Sequence, residues 1–176
     1  MRILSFIAAR GEAYYPNQSV NGLLNRWLQN GSILEFDDFA FSPYHPWVAW
    51  GTAATSAALL VAALSLPFAR RAVDRRLEFA VVALTATIAS PIVWEHHYGI
   101  ALPIFAMAMP IVVAASPAGR ATPFLLALSF VLIAQYFHET QRFASTSWNP
   151  LQSYTLFGAL LFLSLLYGSI IRTRTT

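Results

Sequence analysis

Residues 47–76 read WVAWGTAATSAALLVAALSLPFARRAVDRR, an uncharged apolar stretch at 47–68 followed by a basic cluster. A helix needs about 20 apolar residues to cross a bilayer, so the first part is long enough. Loops rich in arginine stay on the cytoplasmic side of a membrane, and here the arginines follow at once: Arg70, Arg71, Arg75 and Arg76. This stretch therefore predicts a membrane-spanning helix whose C-terminal end faces the cytoplasm.

Four more apolar segments follow, and the composition of the chain agrees with them. Hydrophobic residues make up 57% of the 176 residues and charged residues 11%, whereas a soluble domain has about 25% charged residues. The further segments cover residues 77–94, 99–115, 123–137 and 151–171. The sequence predicts an all-α, polytopic transmembrane helical bundle of about five spans at 47–176, preceded by an extracytoplasmic segment at 1–46.

The positions of the arginines give the expected topology. Arg120 precedes the fourth segment, and Arg172 and Arg174 follow the fifth. Together with the first cluster they put three segment ends in the cytoplasm. We expect a multi-pass protein of the plasma membrane with residues 1–46 outside and the C-terminus in the cytoplasm. Nothing in residues 1–46 could carry them across the membrane, so we expect further helices before this chain in a longer protein.

A short amphipathic helix is predicted within residues 1–46. Its apolar side chains recur at helical spacing, and they are Val20, Leu23, Leu24, Trp27 and Leu28. Its polar side chains lie opposite, and they are Asn21, Asn25 and Arg26. A helix with this pattern lies along a membrane surface with its apolar side in the lipid.

The residue types that are missing exclude several kinds of chemistry. The chain has no cysteine, and its eleven basic residues are all arginine. Disulfides, cysteine nucleophiles, lysine Schiff bases and P-loop phosphate sites are therefore excluded. The net charge of +3 comes from arginines in loops between apolar segments. We therefore expect the lipid bilayer, and no nucleic acid, as a partner.

Ionisable residues concentrate in the run SPIVWEHHY at 90–98, where an apolar segment ends. Charged groups at membrane depth are costly and usually have a function, so Glu95, His96 and His97 are candidates for catalysis. A solvated turn at the membrane surface would contain the same residue types. Neighbouring histidines on a helix diverge by about 100°, and the zinc-binding pattern HExxH is absent. We expect no metal ion and no other cofactor.

A second polar run, AYYPNQSVNG at 13–22, leads into the predicted amphipathic helix. Its amide and hydroxyl side chains suit hydrogen bonds to sugar hydroxyls, but such residues also cap helices. The guanidinium of Arg26 suits pairing with a phosphate, and it would equally anchor the helix at the membrane surface. The run alone leaves both interpretations open.

Taken together, the two runs resemble the polyprenol-phosphate-mannose-dependent alpha-mannosyltransferases of the GT-C class, of the GT87 or DUF2029 type, in their C-terminal portion. The first run contributes Asn17, Gln18, Ser19, Asn21, Gly22 and Arg26 to the resemblance. The second contributes Ser90, Pro91, Trp94, His96 and His97. The resemblance covers the chain from about residue 13 to the fifth segment.

The resemblance implies a hexosyltransferase that takes a sugar, with mannose expected, from a polyprenyl-phosphate carrier to a glycolipid or glycan acceptor on the extracytoplasmic face. His96 and His97 would bind or neutralise the donor phosphate, and Glu95 would orient one of them. The expected substrate-binding residues are Asn17, Gln18, Ser19, Asn21, Arg26 and Trp94. In these enzymes a carboxylate of the first outer loop deprotonates the acceptor, so we expect that base to lie outside this chain.

Two other interpretations remain. In a non-catalytic membrane subunit or transporter fragment, the Glu–His turn would relay protons or contact a partner. A transporter has polar residues deep within several spans, whereas these segments contain scattered Ser and Thr, with Gln135 near the end of the fourth. A truncated gene product without activity of its own is the third interpretation, and the upstream genomic sequence would distinguish it.

Overall fold

The computed structural model describes residues 10–36, 41–69, 74–116 and 121–172. These residues form α1 (Val20–Trp27), α2 (Pro46–Ala69), α3 (Arg75–Ile88), α4 (Ala101–Ala114), α5 (Ala121–Ala134) and α6 (Tyr154–Arg172). Short 3-10 helices cover Glu95–Ile100, His138–Phe143 and Asn149–Ser153. Within the described ranges the β pairing is limited to an isolated bridge between Asn17 and Trp94. The predicted all-α class is confirmed.

Three helical stretches are long and apolar enough to cross a membrane, and they support a membrane protein. They are Pro46–Ser65 in α2, Glu95–Ala114, which joins a 3-10 helix to α4, and Asn149–Arg172, which joins another to α6. Helices α3 and α5 have 14 residues each, a rise of about 21 Å, which is shorter than a hydrocarbon core of about 30 Å. Five spans therefore stay a prediction. Four arginines used for the topology lie outside the described residues: Arg70, Arg71, Arg120 and Arg174.

The second apolar segment was predicted to be helical up to Trp94, and this boundary is wrong. Helix α3 ends at Ile88, because Pro91 lacks a backbone N–H and disfavours a helical residue before it. The Ser90 hydroxyl donates to the carbonyl oxygen of Ile92 at 2.9 Å. Beyond this turn Trp94 is extended, with φ −78° and ψ 158°. The break leaves residues 92–94 able to pair with another segment.

Helix α6 lies at the centre of the bundle, where it packs against α3, α4 and α5. The rings of Phe105 in α4 and Phe162 in α6 stack with centroids 3.8 Å apart. Gly158 lets α5 approach closely, since a Cβ there would meet Leu132 Cβ at 2.7 Å. Ser129 of α5 donates to the Gly158 carbonyl at 2.8 Å. These contacts fix α4, α5 and α6 beside one another and thereby position the loops at their ends.

Helix α1 forms where it was predicted, and its polar side faces the protein. Asn21, Asn25 and Arg26 are buried, whereas Trp27 is 66% exposed. Ser19 begins the helix, because its hydroxyl accepts the Gly22 N–H at 3.0 Å. The buried polar side bonds to the loop before α1 and to the 3-10 helix before α6. On the apolar side Val20 and Leu23 pack against the bundle core, and Trp27 and Leu28 are exposed where a membrane surface would cover them.

Candidate functional site

The two polar runs that carried the resemblance lie against each other. Gln18 N–H donates to the Val93 carbonyl at 2.6 Å, and Val93 N–H donates to Asn17 Oδ1 at 3.0 Å. The Ser19 hydroxyl donates to the carbonyl of Pro91, 72 residues away in sequence, at 2.8 Å. The turn at Ser90 and Pro91, which follows the end of α3 at Ile88, is what exposes these backbone groups. The two runs therefore form one structural unit.

Gln18 joins this unit to the start of α6. Its Nε2 donates to the Gln152 carbonyl at 2.7 Å and its Oε1 accepts the Thr155 N–H at 3.1 Å. Its backbone carbonyl accepts the Tyr98 hydroxyl at 2.7 Å. Gln18 is fully buried, and its side chain is engaged at both ends. Gln18 was predicted to bind substrate directly. In this position it would contribute to binding by holding the neighbouring segments in place.

Arg26 occupies the middle of the same unit and is fully buried. Its Nη1 donates to the carbonyl oxygens of Asn17 at 2.9 Å and Tyr14 at 3.2 Å, and its Nη2 donates to Ser153 Oγ at 2.6 Å. Burial lowers the pKa of Arg26 to about 9, although the nearby Glu95 carboxylate acts in the opposite direction. The guanidinium is still charged at neutral pH. Its burial within the protein excludes the anchor at the membrane surface.

Asn21 connects α1 to the loop before it and to α2. Its Oδ1 accepts Asn25 Nδ2 at 2.7 Å and the Glu12 N–H at 3.2 Å, and its Nδ2 donates to Thr52 Oγ1 at 3.2 Å. Gly11 has a φ of +63°, and a Cβ at this position would overlap the Asn21 amide. Asn21 therefore holds the chain around Gly11 close against α1.

Trp94 is held by a carboxylate that the sequence did not indicate. Its Nε1 donates to Glu12 Oε2 at 3.0 Å, and its ring meets Phe36 edge to face with centroids 5.4 Å apart. Burial raises the pKa of the half-buried Glu12, and the hydrogen bond from Trp94 opposes that rise. The sequence feature that could have identified Glu12 as a site residue was its position directly before the AYYPNQSVNG run.

Glu95 was expected to orient a histidine, but its hydrogen-bond partner in the structure is Tyr154. The Tyr154 hydroxyl donates to Glu95 Oε1 at 2.7 Å. His97 Nδ1 accepts the Trp94 N–H at 3.0 Å and so caps the 3-10 helix, while the His96 ring stacks on His97 at 4.3 Å. Within the described part of the chain, His96 has no hydrogen-bond partner. His96 is thus the imidazole whose ring nitrogens are available to a ligand.

A cavity of about 410 Å³ opens beside these residues. It is lined by Pro16, Trp94, Glu95, His96, Gln135 and Tyr136, among others. The Tyr136 hydroxyl donates to the Tyr15 hydroxyl at 2.9 Å, which fixes the rim. Three of the predicted site residues, Trp94, Glu95 and His96, therefore line the cavity. His97 is exposed and does not line it, and the predicted residues of the first run are buried and do not line it either.

The residues before and at the start of α6 were missed by the sequence reasoning. Asn149 Nδ2 donates to the Arg26 carbonyl at 2.5 Å. Ser153 accepts a hydrogen bond from Arg26, and Tyr154 donates one to Glu95. The available signal was a group of polar residues, Asn149, Gln152 and Ser153, at the beginning of an apolar segment. Among these residues Asn149 Nδ2 and Ser153 Oγ have partners, whereas Asn149 Oδ1 and both polar side-chain atoms of Gln152 are buried without one.

Among the described residues no three His, Asp or Glu side chains lie close enough together to hold a metal ion. The arrangement instead offers an available imidazole, a carboxylate held by a tyrosine, and an aromatic wall around a partly polar cavity. Comparison with protein-family models, with curated proteins and with solved structures finds no match to this chain.

Proposed function

We propose that the chain is part of a membrane glycosyltransferase that transfers a hexose, with mannose as the first candidate, from a polyprenyl-phosphate carrier to a glycolipid or glycan acceptor. The contact between residues 17–19 and 91–94 carries this proposal. The two runs of the resemblance are distant in sequence, and the hydrogen bonds between them support a common site. They meet beside a cavity lined by Trp94, Glu95 and His96.

The residues of the cavity would have complementary roles. His96 donates an imidazole N–H to the phosphate that leaves with the electron pair of the sugar C1–O bond. Glu95, held by Tyr154, accepts a hydrogen bond from a sugar hydroxyl through its other oxygen. The base that removes the proton of the acceptor hydroxyl would come from a part of the protein outside this chain.

The proposal includes the finer topology. The protein crosses the plasma membrane about five times, with α3 and α5 as short spans, the cavity on the extracytoplasmic face and the C-terminus in the cytoplasm. The positions of Arg75, Arg76 and Arg172 at the helix ends opposite the cavity support this orientation. Among the described residues, the buried amide and guanidinium side chains gather at one end of the bundle. They do not follow its axis, which argues against a transport path.

The proposal is tested by the transfer of radiolabelled mannose from polyprenol-phosphate-mannose in membranes that contain either this chain or an upstream-extended form. Transfer by the extended form alone would support the enzyme with a base outside this chain. Transfer by neither, with both proteins present in the membrane, would contradict the mannose donor. A panel of other polyprenyl-phosphate hexoses would then test the wider class.

A further inference from the structure

Tyr154 lies between the buried interior of the protein and the cavity. It is the first residue of α6 and is 6% exposed. Its hydroxyl donates to Glu95 Oε1 at 2.7 Å and accepts the Phe137 N–H at 3.4 Å. Its ring meets the ring of Phe137 edge to face with centroids 5.0 Å apart. The side chain of Tyr154 is therefore fixed by contacts both on its hydroxyl and on its ring.

The two residues next to Tyr154 in the chain are held by buried polar side chains. On one side, the Ser153 hydroxyl accepts Arg26 Nη2 at 2.6 Å. On the other side, the Thr155 N–H donates to Gln18 Oε1 at 3.1 Å. Arg26 and Gln18 are themselves fully buried. Because these bonds fix the residues immediately before and after it, Tyr154 presents its hydroxyl from a rigid part of the protein.

Glu95 lies in a much less constrained part of the chain. It is the first residue of a short 3-10 helix, and the two residues that follow it, His96 and His97, are exposed. A glutamate side chain rotates about three bonds, and ordering it costs conformational entropy. Within the described ranges, its carboxylate is hydrogen-bonded by Tyr154 and by no other group. Without this bond the carboxylate would sample several orientations in the cavity.

The bond from Tyr154 gives the two oxygens of the Glu95 carboxylate different roles. Oε1 is occupied by the Tyr154 hydroxyl, so Oε2 is the oxygen that accepts from a ligand in the cavity. Since Tyr154 is rigid, the direction of Oε2 is fixed as well. An acceptor with a fixed direction selects a hydroxyl in one place, because a ligand that lacks this hydroxyl leaves the acceptor unpaired.

We propose that Tyr154 is a positioning residue that fixes Glu95 and thereby decides which hydroxyl of the donor sugar the cavity selects. That the ligand is a sugar rests on the proposed function. The link from the buried side chains through Tyr154 to Glu95 rests on the hydrogen bonds given above. Tyr154 does not line the cavity, so it acts on the ligand through Glu95.

The test compares transfer from a polyprenyl-phosphate hexose with transfer from its monodeoxy analogues by the full-length protein. In the wild type we expect one analogue to have a kcat/KM about 10–150-fold lower than the parent donor, which is typical for the loss of a hydrogen bond to a charged group. Tyr154→Phe should reduce this ratio by about tenfold, through slower transfer of the parent donor alone. An unchanged ratio, or an equal fall for every donor, would overturn the proposal.

Tyr167→Phe is the matched control for this substitution. Tyr167 lies on the same helix, and its hydroxyl is buried with no hydrogen-bond partner among the described residues. The same atom is therefore removed without breaking a bond, and the ratio between the donors should stay at the wild-type value. A fall of the ratio in Tyr167→Phe as large as in Tyr154→Phe would overturn the proposal.

A double substitution tests whether Tyr154 acts through Glu95. In Glu95→Ala the parent donor and the analogue should be transferred at similar rates, and the addition of Tyr154→Phe should not change their ratio further. A further change would overturn the proposal. If Tyr154→Phe does not fold, infrared spectroscopy of the protein with isotope-labelled tyrosine replaces it. Glu95→Ala should then shift the C–O stretching band of one tyrosine, and the absence of a shift would overturn the proposal.

The two proposals fail in different ways. Transfer from no polyprenyl-phosphate hexose, with the full-length protein present in the membrane, would contradict the proposed function and with it the selection of a sugar hydroxyl. Transfer with a ratio between the donors that Tyr154→Phe leaves unchanged would contradict the role of Tyr154 alone.

Discussion

The predicted site residues separate into two regions that differ in how their polar groups are used. The first region, which we call the polar hub, consists of Asn17, Gln18, Asn21 and Arg26. Its side chains are fully buried and bond to other parts of the chain. The second region, the cavity wall, consists of Trp94, Glu95 and His96. Trp94 and Glu95 are part-exposed, His96 is exposed, and all three line open space.

The difference teaches that two runs of similar polarity in sequence have different physical roles. In the hub, each lost side chain leaves buried donors or acceptors without partners, which costs folding free energy. In the wall, a lost side chain leaves a wider cavity that water can fill. Substitutions in the hub should therefore change stability, and substitutions in the wall should change activity with little change in stability.

Arg26→Met should give the largest effect. It leaves the carbonyls of Asn17 and Tyr14 and the hydroxyl of Ser153 without their donor, and three unpaired buried groups at about 1–3 kcal/mol each cost at least about 3 kcal/mol. Unfolding in SDS mixed micelles, followed by circular dichroism, measures the loss. Arg142→Met is the control, because Arg142 is 80% exposed and pairs only with Glu139 at the surface. Equal stability of the two variants would contradict the hub.

Gln18→Leu should have the next largest effect, about 2–3 kcal/mol by the same measurement, because it removes the bonds to the Gln152 carbonyl and the Thr155 N–H. The matched control is Gln135→Leu, which alters an exposed residue of the cavity rim. If Gln135→Leu proved the more destabilising of the two, the division between hub and wall would be wrong.

His96→Ala should separate activity from stability. In the full-length protein we expect sugar transfer to fall by about 10²-fold, which is typical for the loss of a group that stabilises developing charge. The unfolding transition should stay in place. His138→Ala is the control, since His138 is exposed and lies outside the cavity lining. Undiminished transfer by the His96 variant would remove this imidazole from the mechanism.

Glu12→Gln should give the smallest effect, visible in its pH dependence. The pKa of Glu12 is raised by burial, so folding favours its protonated form. That contribution to stability is present below the unfolded pKa and is lost as pH rises through the higher folded pKa. The glutamine variant keeps an acceptor for Trp94 and lacks this titration. We expect the free energy of unfolding of the variant to increase relative to that of the wild type as pH rises. A difference between the two that does not change with pH would contradict this.

The sequence was sufficient for the all-α class, for the position of α1 and for the approximate positions of the longest helices, because these follow from local apolar runs. It predicted the apolar side of α1 in the lipid, but it did not show that the polar side would be buried against the protein. A helical pattern separates two faces, but beside a lipid the apolar face need not be the one that contacts protein. The partner of Glu95 could not be predicted from the sequence either, since Tyr154 lies 59 residues later in an apolar segment. Pro91 could have corrected the boundary of α3.

The long sequence separations within the hub have a consequence for biosynthesis. Arg26 bonds to Ser153, which is 127 residues later in the chain. At a translation rate of about 5–20 residues per second, synthesis of the intervening residues takes roughly 6–25 s. During that interval the guanidinium lacks its Ser153 acceptor, although its bonds to Tyr14 and Asn17 are local. The stretch before α1 therefore reaches its final conformation only once the beginning of the last helix has been synthesised. A nascent chain arrested before Ser153 should expose residues 13–26 to protease, which would date this step of assembly.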